Sequence, residues 1–131
     1  MAKVMNSKDK KVWIDALRSG KFTQGEGRLY SKSPDTYCCL GVAQCILTGK
    51  NPNIGDYYLS TKMTKRLGLS LDLQAALAIA NDGYAEKNEH EDVRQAFFDV
   101  GYTSFPKDVV KKAGKYRSSF KHIADWIEKN L

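Results

Sequence analysis

No apolar run in this 131-residue sequence approaches the roughly 20 residues needed to cross a bilayer. Met1–Lys11 holds none of the apolar stretch of a secretory leader, so a soluble cytosolic chain with no membrane partner is expected. Cysteine is scarce. Three residues cannot all pair with one another, and Cys38 and Cys39 are adjacent, which suits a reducing compartment. Only three prolines occur, and there is no Gly/Ser-rich tract or internal repeat, which excludes a linker between domains, a collagen-like segment and a solenoid. What is present is ordinary: 42% hydrophobic and 27% charged residues place the chain among globular proteins. The length supports one domain over residues 1–131, with a core that needs no metal or disulfide.

Charge is uneven. The formal net charge is +6, from 21 basic and 15 acidic side chains. Residues 1–32 hold eight basic against three acidic side chains, and residues 107–121 hold six against Asp108 alone. The stretch between them is net acidic, with nine carboxylates against six cations. Two basic segments brought to one face would attract phosphate, nucleic acid or an acidic protein, whereas the plainer reading is a solvated surface. Neither segment interleaves aromatics with Arg as a single-strand platform does.

Helical periodicity dominates, so the expected fold class is mostly α (α+β): a helical domain with one small β-hairpin. Ser7 is expected to cap a first helix with Val12, Trp13, Ala16 and Leu17 on one stripe, closed at Gly20. Lys21–Gly27 reads as a loop or extended approach. Arg28–Ser31 and Thr36–Cys38 flank a turn sequence and read as the hairpin. Cys39–Leu47 is apolar nearly all round and predicts a central helix. Ser60 is expected to cap a helix ending at Gly68, and Ser70 or Asp72 one ending at Asn81-Asp82-Gly83. Asn88 is read as opening a helix with Val93, Ala96, Phe97 and Val100 on its stripe, and Pro106 a helix closed by Gly114. Ser119 is expected to cap the last helix, with Phe120, Ile123, Ala124, Ile127 and Leu131 inward.

Four constellations offer chemistry. Cys38 or Cys39 at a helix N-terminus would have a lowered thiol pKa and act as a nucleophile, with His122 or His90 as base and Asp125 or Asp82 orienting it. The alternative is that all three cysteines are small buried hydrophobes. Three Cys and two His are enough for a zinc site, but no ligand pair has zinc spacing, so no metal and no cofactor is expected. The two glycines of Gln24-Gly-Glu-Gly27, with Arg28, are suited to cradle an anion, or simply form a loop. Asn81 and Asp82 either bind polar groups of a ligand or terminate a helix.

Taken in order, Trp13…Ala16-Leu-Arg-Ser-Gly20, Gln24-Gly25, Tyr37-Cys-Cys-Leu-Gly-Val42, Asn81-Asp82 and Ser119-Phe-x₂-Ile-Ala-Asp-Trp-Ile-Glu128 resemble a group of small phage and prophage proteins. Their pattern runs ALRSGxYxQ, CCLGV, ND, SFxxIADxIE. In the short members the Asn-Asp pair stands close to the Ser-Phe helix, whereas here residues 84–118 intervene and read as an inserted helical pair. The resemblance implies a bacteriophage accessory protein in the host cytosol. As such it is expected to be non-enzymatic, sequestering a small signalling molecule of nucleotide-like kind or inhibiting a host defence protein. Gln24, Arg28, Asn81 and Asp82 are then the expected ligand contacts. Two alternatives stand beside it. One is a nucleic-acid module using Lys111, Lys112, Lys115 and Arg117. The other is a cysteine-dependent hydrolase on Cys38 or Cys39. Exposed aromatics on short helices also favour a homo-oligomer.

Overall fold

A computed structural model describes residues 5–83, 90–106, 109–112 and 115–131. Helix α1 (Ser7–Arg18) is capped by Asn6 rather than Ser7, because the Asn6 side chain reaches both the Lys8 and Asp9 amides, at 2.9 and 3.1 Å. Strands β1 (Tyr30–Ser31) and β2 (Thr36–Tyr37) pair antiparallel, with Tyr30 opposite Tyr37. The chain then enters α2 (Cys39–Thr48), whose first turn is capped by the Cys38 sulfur, accepting from the Gly41 amide at 3.4 Å. Ser60 caps α3 (Thr61–Leu67) and Ser70 caps α4 (Leu71–Asp82), each accepting from the amide three residues on. Helix α5 spans His90–Asp99, so the expected start at Asn88 lies outside the described residues.

The segment after Pro106 departs from expectation. In place of a helix closed by Gly114, strands β3 (Val109–Lys112) and β4 (Lys115–Ser118) pair antiparallel, with Val110 opposite Arg117. The described residues between Asp82 and the last helix therefore form a helix and a β-pair, not two helices. The physical reason is composition: two β-branched valines and the alternating Lys-Tyr-Arg suit a pleated ribbon and give no helical stripe. Helix α6 (Phe120–Asn130) closes the chain, capped by Ser119.

Helix α1 packs against α6 and α2, while α4 packs against α5, α2 and β4. Trp13, Leu40, Val42, Leu77, Phe97, Ile123 and Ile127 fill the centre and are fully buried. The Trp13 indole N–H donates to the Cys39 carbonyl at 2.8 Å, so the ring is buried without an orphaned donor. Arg18 ties α1 to α6 through Asp125 (2.6 Å) and Glu128 (2.9 Å). Arg66 grips Asp9 with two bonds of 2.9 and 3.0 Å, joining α3 to α1. Among the described residues no helix is long and apolar enough to cross a membrane.

Candidate functional site

Asn81, in the last turn of α4, is fully buried. Its Oδ1 accepts from Gln24 Nε2 (2.9 Å) and from the Cys39 amide that opens α2 (3.2 Å). Its Nδ2 donates to the Gly25 carbonyl (2.8 Å) and to Asp82 Oδ1 (3.1 Å). Gln24 in turn donates to the Ser118 carbonyl at 2.9 Å. These two side chains therefore clamp the 21–27 loop, α2, α4 and β4 together, through both polar atoms of Asn81 and the Nε2 of Gln24.

The glycine loop is a cradle whose anion the protein supplies. The Gly27 amide donates to Asp82 Oδ1 at 3.0 Å, and the Gly25 amide is taken by the Tyr37 carbonyl at 2.8 Å. Of the four expected ligand contacts, Asn81 is buried in the clamp and Gln24 borders a different groove beside Phe22, Ser119 and Phe120, while Arg28 and Asp82 come together. Both line a cleft of about 240 Å³. Gly27, Cys38 and, from α4, Ala75, Ala78 and Ile79 form part of its wall. Tyr57 and Tyr58 line it from the loop between α2 and α3.

Arg28 is exposed and has no carboxylate partner among the described residues. Its guanidinium lies over the Tyr57 ring, 5.4 Å from the centroid, a cation–π arrangement. Gly55 lies beside it, with a positive φ of 101° that suits glycine. Both oxygens of Asp82 are not equally engaged: Oδ1 takes the Gly27 and Asn81 bonds, and Oδ2 has no hydrogen bond among the described residues. The tyrosines and Ile79 escaped the sequence reading. Their signal was present in α4, where Leu71, Ala75, Ala78 and Ile79 are apolar on the side away from the core stripe of Leu73, Ala76, Leu77 and Ala80. Tyr57 is 56% exposed and Ile79 42% exposed, a patch of large apolar groups around a polar-ended cleft.

The cysteines sit otherwise than a nucleophile requires. Burial pushes the Cys38 thiol up to about 11 and the Cys39 thiol well up as well, overriding the helix N-terminus that was expected to lower them. The helix effect is real but smaller: backbone amides that favour the thiolate pull each pKa down by less than desolvation raises it. His122 lies in another groove with Phe105, Trp126 and Asp125, its Nδ1 3.1 Å from the Ser119 hydroxyl. The His90 side chain is outside the described residues. Among the described residues no group of three or more His, Cys, Asp or Glu is placed to hold a metal ion.

The second basic segment is brought only partly into view. Lys111 and Lys112 stand in β3 and Lys115 in β4, with their side chains outside the described residues. Arg117 is buried, its Nη2 2.9 Å from Glu26 Oε2, so its charge is turned to the protein's own loop rather than to a phosphate backbone.

Neither curated proteins nor solved structures yield a match to the chain. One family model, described as a domain of unknown function (DUF8296), matches residues 5–131. The match takes in both the clamp and the cleft, and the chain belongs to that family.

Proposed function

We propose that the protein is a non-enzymatic binding protein of phage-accessory type, working in the host cytosol and sequestering a small signalling molecule in the Arg28–Asp82 cleft. The observation that carries this reading is Arg28: an exposed guanidinium with no acidic partner among the described residues, held over Tyr57 in a concave site. A preformed cleft with an apolar wall and two polar ends is the usual build of a small-ligand site. Raised thiol pKa values at Cys38 and Cys39 weigh against the hydrolase alternative, and the Glu26 partner of Arg117 weighs against the nucleic-acid one.

The test is native mass spectrometry of protein purified gently from cells, before and after denaturation. A small-molecule mass lost on denaturation is expected, and it is expected to be absent from an Arg28→Ala, Tyr57→Ala double variant of unchanged fold. A bare protein mass from every source, or a bound mass loaded equally by that variant, would overturn the proposal. Salt-steep binding to duplex or single strands that vanishes when Lys111, Lys112 and Lys115 are neutralised would transfer the function to the hairpin.

A further inference from the structure

The cleft offers three separate kinds of recognition, and their combination restricts the ligand. Arg28 presents a planar cation with no ion pair among the described residues. Such a fork matches the oxygens of a phosphate or carboxylate. On the sides, two exposed tyrosine rings and the Ala75–Ala78 surface of α4 form walls suited to a flat ring system. Asp82, also lining the cleft, is fixed among the described residues through Oδ1. The Gly27 amide and the Asn81 side-chain amide both donate to Oδ1, which orients the carboxylate and leaves Oδ2 as an acceptor.

A fixed carboxylate oxygen selects against rings that present an acceptor beside their donor. Adenine and cytosine each offer a ring nitrogen acceptor next to the amino group, and uracil flanks its single N–H with two carbonyls. Guanine offers two adjacent donors, N1–H and the 2-amino group, and one oxygen can accept from both. Size restricts the ligand further. About 240 Å³ is below the roughly 300–1,000 Å³ of drug-sized sites and suits one base with one anionic group inside the cleft. Resting on the binding-protein reading above, we infer that the cleft takes a guanine mononucleotide, with Arg28 on the phosphate, Tyr57 and Tyr58 along the base, and Asp82 Oδ2 on the N1–H and 2-amino edge. Gln24 and Asn81 are positioning residues. They touch no ligand and hold Asp82 and the Gly27 loop in register.

Calorimetric titration of the whole chain with GMP, IMP, AMP, guanosine and inorganic phosphate tests this. GMP is expected to bind at least about tenfold more tightly than AMP, with IMP, which keeps N1–H but lacks the 2-amino group, between them. Arg28→Ala is expected to weaken GMP by about tenfold or more and leave guanosine unchanged. Asp82→Asn is expected to bring GMP and AMP within about threefold of each other. Should Asp82→Asn disturb the Gly27 contact and the fold, the GMP, IMP and AMP series on the unaltered chain decides alone. Equal affinity for GMP and AMP, or GMP affinity indifferent to Arg28→Ala, overturns the inference. A non-nucleotide mass in the native spectra, lost in the Arg28→Ala, Tyr57→Ala variant, overturns it while the binding-protein reading stands. No bound mass and no nucleotide affinity removes both.

Discussion

Asn81 uses each of its side-chain atoms twice, and it does so with no exposure to water. Truncating it leaves the first amide of α2, the Gly25 carbonyl and the Gln24 amide without their partner in a dry place, where each unsatisfied group costs about 1–3 kcal/mol. Asn81→Ala is therefore expected to lower unfolding free energy by about 3 kcal/mol, read by urea denaturation. Asn81→Asp keeps the shape but aims a carboxylate oxygen at the Gly25 carbonyl and at Asp82, and a comparable loss is expected. A variant as stable as the parent would show that the clamp is not structural. The cysteines give a second prediction at this scale. Burial pushes all three thiols up, but Cys38 and Cys39 are buried while Cys45 is half-buried and within reach of water. At neutral pH an alkylating reagent is expected to modify Cys45 slowly and first, with Cys38 and Cys39 reacting only on unfolding. Rapid labelling of Cys38 in the folded protein would revive the nucleophile reading.

Between elements, the tightest approach is that of α2 to the chain at Leu29. A Cβ on Gly41 would stand 1.8 Å from the Leu29 carbonyl oxygen, and that oxygen also accepts the Cys38 amide at 3.1 Å. The atom in the way is backbone, so neither partner can rotate aside. Gly41→Ala is expected to cost at least about 3 kcal/mol, or to leave the protein unfolded by circular dichroism, even though alanine is the better helix former. The sequence announced this helix plainly, since Cys39–Leu47 has one polar side chain, Gln44, but only Cys39–Ala43 is buried and Ile46 is exposed. Caps were equally legible where a hydroxyl preceded an apolar stripe, as at Ser60, Ser70 and Ser119. Ser7 misled because Asn6, one residue earlier, is the better acceptor and reaches two amides. The β3–β4 pair was hidden for another reason. Pro106 and Gly114 are the punctuation of a helix, and the Val-Val and Lys-Tyr-Arg between them were weighed less than that punctuation.

At the scale of the whole molecule, the site was half legible because its parts come from distant segments. Arg28 and Asp82 were nominated from local motifs, but Tyr57 and Tyr58 join them only through the packing of α4 against α2 and the 55–58 loop. Burial of the same central region also sets how the protein responds to pH. Burial raises the Cys38 thiol to about 11 and the Cys39 thiol strongly, and hydrogen bonding to Asp35 raises the Tyr30 phenol to about 12. In the unfolded chain these groups titrate near their ordinary values of 9.0 for the thiols and 10.0 for the phenol. A folded-state pKa above the unfolded one means that the unfolded chain loses its proton first as pH rises. Stability from these groups is thus whole below about pH 9 and is lost progressively as pH climbs through the folded values near 11 and 12. Urea midpoints are expected to be level from about pH 7 to 8.5 and to fall steadily between about 9 and 11. Replacing Cys38 by Ser keeps an acceptor for the Gly41 amide and replacing Cys39 by Ala removes the second thiol, so the double variant is expected to lose its midpoint less steeply over the same range. A wild-type midpoint that stays flat to pH 11, or a double variant that falls just as fast, would mean that the buried thiols are not what the alkaline transition titrates.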